Sequence, residues 1–253
     1  MILTRDERVL AEINAHAVLG ALPRLAELAP EAAAILDRLH KPTTLHLKVR
    51  GGPSAHYTFS AGGISIGERR APGPTLLFAS PKHFNAVIAG TAQPIPLSRP
   101  SGIGFLKSVF TPLTALLESN LRGTDPDAPP SETTTLLTLH VAAIAITIVG
   151  NHDESGQFSA AHMADGDLDI EVGDHIRYRV EIKDHRLRLD DNLNDPPRAA
   201  LRFADLDVAG GILSGRESAL ACLCDGRVAM RGYIPLVDNT NRILDRVGTY
   251  LEA

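Results

Sequence analysis

The sequence contains no tryptophan, and aromatic residues make up 4% of its 253 positions. A chain this poor in rings lacks the stacking platforms on which single-stranded nucleic acids are held. Charge imbalance is also small. A net charge of −5 argues against non-specific nucleic-acid binding and supplies no basic patch for a membrane. Cysteine is scarce: Cys222 and Cys224 form a C-x-C pair, which is neither the redox C-x-x-C nor half of a usual zinc knuckle. Two free, buried thiols in a reducing compartment are expected. No basic segment followed by an apolar one opens the chain, which argues against a signal peptide. The longest apolar-rich run, Leu136 to Val149, is interrupted by His140 and is shorter than the ~20 residues a membrane span needs. The expectation is a soluble, cytoplasmic protein with no transmembrane segment.

Catalytic signatures are missing as well. There is no G-x-S-x-G elbow, and Gly102-Ile103-Gly104 is a bare G-x-G after a proline-broken run. The 10 histidines are scattered, with no H-x-x-x-H or H-E-x-x-H spacing. The densest set of potential metal ligands is His152, Asp153, Glu154, His162 and Asp165, which reads as a polar loop. Asp184-His185 reads as a hairpin turn more than a catalytic dyad. No cofactor and no metal is expected.

What is present is a stretch used twice. Phe78 to Gly90 reads FASPKHFNAVIAG, and Phe203 to Gly215 reads FADLDVAGGILSG. Ser80 and Asp205 are candidate N-caps, and Gly90 and Gly215 stand where a helix ends on a left-handed residue. Between them lie apolar residues at helical spacing: Phe84, Val87 and Ile88, then Val208, Ile212 and Leu213.

The flanks agree in order. Helices over 5–20 and 30–39 come first, with Pro23 restarting the chain between them. Period-two alternation follows at Leu45, Leu47, Val49, then Tyr57 and Phe59, then Ile64 and Ile66, a three-stranded meander. A strand at 75–78 leads into the helix 81–89. Residues 91–97, broken by two prolines, form an edge or a loop. A broad apolar stripe from Ile103 to Leu117 predicts a helix that Pro112 kinks or restarts.

The segment 123–130 reads as a linker. Ser131 caps a helix over 131–149, where β-branched residues leave a strand open as an alternative. A second meander alternates through Leu168–Val172, Ile176–Ile182 and Leu187–Leu189. A strand ending at Phe203, the helix 205–214, a short helix over 217–223, a strand through Val228, Met230 and Tyr233, and an amphipathic C-terminal helix complete the chain.

Three runs carry a resemblance: Ile176 to Asn192, Arg198 to Arg216, and Gly226 to Val247. They resemble the sterol carrier protein 2 (SCP2-like) family. Ser214-Gly215-Arg216 fits its "SGK" step, and Gly226 to Gly232 fits its "G-K-L-K-I-x-G" strand. The first half is similar but more divergent, with Ala89-Gly90-Thr91 at the "SGK" step. The resemblance implies an α/β (α+β) fold of two tandem lobes, 1–122 and 131–253. Each would be a mostly antiparallel five-stranded sheet covered by helices on one face, enclosing an apolar tunnel for a fatty acyl chain, sterol or isoprenoid.

A lipid site needs apolar area more than catalytic groups, since burial contributes roughly 25 cal/mol per Å². The candidates are Phe84, Val87, Ile88, Phe105, Leu106, Val109, Phe110 and Leu113 in the first half. In the second they are Val208, Ile212, Leu213, Leu220, Met230, Ile243, Leu244 and Val247. Arg69, Arg70, Lys82 and Lys107 are candidate head-group anchors. The expected function is non-catalytic lipid binding or transfer, with the first lobe serving the second as a pseudo-dimer partner. Two alternatives stand beside it. One is an enzyme using Tyr233, His185 or Asp190 for proton transfer in an apolar pocket. The other is an interaction module docking through the Phe105–Leu117 helix.

Overall fold

The computed structural model describes residues 5–67, 71–122, 128–174 and 176–251. The Arg69-Arg70 pair, His175 and residues 123–127 of the linker lie outside the described residues. The chain forms two compact units, Met1–Thr124 and Asp125–Ala253.

In the first unit Asp6 caps α1 (Glu7–Glu12), its carboxylate accepting the Arg8 amide at 2.7 Å. The helix continues through a π segment (Ile13–Val18) and a 3-10 turn (Leu19–Ala21) into α2 (Leu22–Leu28), and α3 (Pro30–Leu36) follows. Pro23 does not restart the chain. It falls in the first turn of α2, where a missing N–H costs little.

The meander is β1 (Thr43–Val49), β2 (Ser54–Ser60) and β3 (Gly63–Ile66). Then come β4 (Thr75–Phe78), α4 (Pro81–Ile88) and the edge strand β5 (Ile95–Leu97). A last helix runs as α5 (Pro100–Phe105), a second π segment (Leu106–Phe110) and α6 (Thr111–Arg122). Pro112 is absorbed at the start of α6, directly after the π segment. The strand order is β3-β2-β1-β4-β5, with β1 and β4 parallel and the other neighbours antiparallel. Leu45, Leu47, Tyr57, Phe59, Leu76 and Phe78 fill the inner face.

In the second unit Ser131 caps α7 (Glu132–His152) by accepting the Thr134 amide at 3.1 Å. This segment is a helix, not a strand, because it is buried nearly all round. Helix propensity costs β-branched residues only tenths of a kcal/mol each, about 0.7 at most, whereas burying one such side chain gains ~2 kcal/mol. It is long and apolar enough to cross a membrane, but 67% of its most apolar window is buried. It packs against α8 (Glu154–Ala161), β8 (Arg186–Asp190), α9 (Leu206–Leu213) and α11 (Ile234–Leu251). The remaining elements are β6 (Gly166–Val172), β7 (Ile176–Lys183), β9 (Ala199–Phe203), α10 (Ala219–Cys224) and β10 (Val228–Gly232). The order is β10-β9-β6-β7-β8, with β6 and β9 parallel.

The two sheets therefore share strand order and strand directions, and the agreement reaches single bonds. Val49 pairs with Phe78 in one parallel ladder, and Val172 with Phe203 in the other. Ser80 accepts the His83 amide, as Asp205 accepts that of Val208. Gly90 and Gly215 have φ of 74° and 71°. Beyond them the Thr91 amide donates to the Ala86 carbonyl at 2.8 Å, and the Arg216 amide to the Gly211 carbonyl at 2.9 Å. This is the Schellman closure that a left-handed glycine permits.

The π segment in the first helix also has a local cause. The caps Asp6 and Ser131 are 125 positions apart, but the following caps, Ala29 and Asp153, are 124 apart. The first unit fits one extra residue between the same two landmarks, and an i→i+5 turn takes it up. Tyr57 donates its hydroxyl to the Ala15 carbonyl inside that segment. Burial pushes the Tyr57 phenol well above its ordinary range.

Candidate apolar ligand sites

In the first unit, Phe84, Phe105, Val109 and Leu113 are buried, and Val87, Ile88, Leu106 and Phe110 are half-buried. The structure brings several of them onto the sheet through ring contacts. Phe59 lies 5.2 Å from Phe105 and 6.2 Å from Phe110, and Phe78 lies 4.7 Å from Phe84, each edge to face. This interior is occupied by its own aromatic rings. A buried polar cluster ties α1 to α4: Asn14 donates to the Asn85 side chain at 3.0 Å, and Asn85 donates to the Glu7 carbonyl at 3.0 Å. A recess of about 360 Å³ lies between α2 and the β2–β3 turn. It is lined by Pro23, Ala26, Glu27, Ser60 and residues 62–65, and by none of the apolar candidates.

The second unit is lined differently. Val208, Ile243 and Val247 are buried; Ile212, Leu213, Met230 and Leu244 are half-buried; Leu220 is 69% exposed on α10. Met230 sits beside Leu201 on the inner face of the β9–β10 ladder. Gly150 lets α7, β8 and α11 close together, since a Cβ there would lie 2.9 Å from Leu187 Cδ2 and 3.4 Å from Ile243 Cδ1. Gly210 does the same for α9 against Thr135 of α7. Phe203 is the sole phenylalanine facing this interior among the described residues, so aliphatic side chains dominate it.

Polar anchors that the sequence reading missed hold α11 in place. Asp153, read there as part of a loop, is the N-cap of α8 and accepts the Ser155 and Gly156 amides at 3.0 and 3.1 Å. Its other oxygen accepts Arg246 Nε at 3.0 Å, Arg246 Nη2 at 2.9 Å and the Tyr250 hydroxyl at 2.7 Å. Burial alone would raise this carboxyl's pKa. The hydrogen bonds from Arg246, Tyr250 and the Gly156 amide outweigh burial and hold it below the ordinary value. Arg246 and Tyr250 at i, i+4 on an amphipathic helix are the one sequence signal of this triad.

A second missed cluster lies on the outer face of the same sheet. Asp169 and Arg179, opposite each other on β6 and β7, are 0% and 2% exposed. They form a bidentate pair at 2.7 and 3.0 Å, and Arg179 also donates to the carbonyls of Asn192 and Asp195. The loop before β9 covers this pair.

The residues weighed for catalysis do not converge. Tyr233 follows β10 at one edge of the sheet, stacked under Arg198 at 4.5 Å, and Asp190 ends β8 at the opposite edge. Four strand spacings of about 4.8 Å separate those edges. His185 lies in the β7–β8 turn with φ of 61°, its Nδ1 3.3 Å from the Ala160 carbonyl. Among the described residues no three potential metal ligands stand together. His152 is the last residue of α7, and His162 lies at the end of α8 with Nδ1 2.7 Å from the Phe158 carbonyl. Of the two thiols expected to be buried, Cys222 is, with Sγ 3.1 Å from Glu217 Oε2; Cys224 is exposed instead, because it is the last residue of the short helix α10.

No protein-family profile and no curated protein matches this chain. Among solved structures, one described as "UbiJ-SCP2 Ubiquinone synthesis protein" is similar to it at 14% identity and a TM-score of 0.34. The alignment covers 44% of this chain and 96% of that one.

Proposed function

We propose that this protein binds and carries a lipid-like apolar molecule, a fatty acyl chain, sterol or isoprenoid, without chemistry of its own. One observation carries the reading: two sheets with the same order and directions, each with an apolar inner face under helices, in the pattern that the SCP2-like resemblance implies. By this reading the chain is a tandem duplication, with lobes over 1–122 and 131–253, acting in the cytoplasm.

The second lobe holds the ligand. Its half-buried Ile212, Leu213, Met230 and Leu244 leave apolar area available, whereas Phe59, Phe105 and Phe110 fill the first lobe with rings. An acyl chain needs little more than such area, because each buried methylene contributes about 0.8 kcal/mol. Tyr233 and Asp190 stand at opposite sheet edges, so an enzymatic reading would rest on one of them and not on the two together.

Native mass spectrometry of the freshly purified full chain, followed by organic extraction, tests the proposal. One equivalent of a co-purifying lipid is the expected result. A clean apo mass that added fatty acids and isoprenoids do not change would refute it.

A further inference from the structure

The net charge of −5 conceals a strong asymmetry. Residues 38–117 contain nine lysines and arginines and one acid, Glu68, a net of +8 for a stretch that includes the whole first sheet. The rest of the chain is correspondingly acidic.

The outer face of that sheet is open over two rows of cross-strand neighbours. One row is Ser54, Lys48, Leu77 and Ile95; the next is His56, His46, Thr75 and Leu97. Ile95 and Leu97 on the edge strand are 49% and 56% exposed, and Lys48 and Arg50 are exposed. His46 and His56 stack at 4.2 Å. Among the described residues the face closes at its far end, where Thr44 and Thr58 are buried and the Ala71 amide donates to Thr44 Oγ1 at 2.9 Å. No ion pair among the described residues engages Lys48 or Arg50.

The matching rows of the second sheet are built the opposite way. They read Arg177, Glu171, Arg202, Ala229 and Arg179, Asp169, Ala200, Arg231. There the charges neutralise one another: Arg179 with Asp169 at 2.7 Å, Arg231 with Glu171 at 2.5 Å, Arg202 with Asp174 at 2.7 Å. The same sheet position is thus self-satisfied in one unit, but cationic and aliphatic in the other.

We infer that the outer face of the first sheet docks on an anionic phospholipid surface. Exposed aliphatic side chains beside lysine and arginine are the two components of interfacial binding, apolar insertion and attraction to acidic head groups. A nucleic-acid strand would use aromatic rings, and this face has only imidazoles. Pro96, in the middle of the edge strand, removes a backbone donor and opposes pairing with another strand. The inference deepens the carrier reading by giving it a donor or acceptor surface, and rests on that reading only for its purpose.

The test is co-flotation of the full chain with vesicles of phosphatidylcholine alone and of phosphatidylcholine mixed with phosphatidylglycerol. Binding is expected only to the mixed vesicles and is expected to fade with salt, as the screening length falls from about 10 Å at 0.1 M to about 3 Å at 1 M. Lys48→Glu with Arg50→Glu should weaken it at least about tenfold. Ile95→Ser with Leu97→Ser should weaken it several-fold. All four side chains are exposed, and circular dichroism checks that each variant folds; if the charge variant fails, the serine variant decides. Equal binding to both vesicle types, or mixed-vesicle binding that neither variant alters, overturns the inference. So does retention on heparin but not on vesicles, which points to an acidic macromolecule instead. Cargo detection by mass spectrometry is a separate readout, so either reading can fail without the other.

Discussion

One oxygen of Asp153 accepts two hydrogen bonds from Arg246, at 3.0 Å from Nε and 2.9 Å from Nη2, joining the α7–α8 junction to the C-terminal helix. Both side chains are almost fully buried, 6% exposed for Arg246 and 4% for Asp153. Removing one member of a buried pair leaves the other charge unmatched and typically costs about 3–5 kcal/mol. Asp153→Asn should therefore lower the urea midpoint by an amount equivalent to ~3 kcal/mol. The pH dependence has a definite sign. The folded-state pKa lies below the ordinary 3.8, so the carboxylate's contribution is complete above that value. It is lost as pH falls through the depressed folded value. Acid titration of stability should show this loss in the wild type and not in Asp153→Asn.

The two helix-closing glycines give a prediction about backbone alone. At Gly90 and Gly215 a Cβ would meet nothing within 4 Å, yet φ is +74° and +71°. Alanine at either site should cost roughly 1–2 kcal/mol, from the left-handed conformation and not from a clash. Asparagine should recover part of that. Denaturant melts of the four single variants check it; an alanine cost near zero would mean that the helix ends rearrange freely.

Gly156 and Gly150 separate two kinds of close approach. A Cβ on Gly156 would stand 2.1 Å from the Val149 carbonyl oxygen, part of the backbone of α7, which cannot yield. On Gly150 the nearest atom is Leu187 Cδ2 at 2.9 Å, the far end of a flexible side chain. Alanine also gains about 1 kcal/mol over glycine within a helix. Gly156→Ala should thus be strongly destabilising, about 3 kcal/mol or more, and Gly150→Ala should fall within about 1 kcal/mol of wild type. Thermal unfolding of the pair reads the difference.

Much of the fold was legible because local chemistry repeats. The caps Ser80 and Asp205, the glycines ten residues after each, and the alternation of each meander all act within a few residues of chain. The parts that were not legible depend on distant groups. Asp169 and Arg179 alternate as outward residues and read as solvated; they are buried because residues 192–195 pass over them. Helix α8 was missed because its start, His152-Asp153-Glu154, reads as a ligand cluster, although Asp153 followed by Glu154 is also an N-cap and an acidic first turn. The π segments left no sequence trace, since an extra residue in a helix shows only against a second copy of the same landmarks. Spacing placed the apolar candidates on helices and strands that the structure contains. It could not separate Phe105 or Ile243, which are buried, from Leu213 and Leu244, which are half-buried, or from the exposed Leu220.

That separation sets the remaining prediction. If the second lobe holds the ligand, half-buried side chains matter more to binding than to folding, because their unburied area is what a lipid would cover. Leu213→Gln and Leu244→Gln should each weaken binding of a fluorescent fatty acid about tenfold or more. The basis is loss of apolar contact at roughly 25 cal/mol per Å² together with a polar amide facing the chain. The same change at Ile88 in the first lobe, also half-buried, should leave binding within about twofold, since Phe59, Phe105 and Phe110 already occupy that interior. Fluorescence titration of the full chain reads all three, with melting curves confirming that each variant stays folded at the assay temperature. A larger loss from Ile88→Gln than from Leu213→Gln would move the site to the first lobe. Equal small losses from all three would remove the apolar pocket from both.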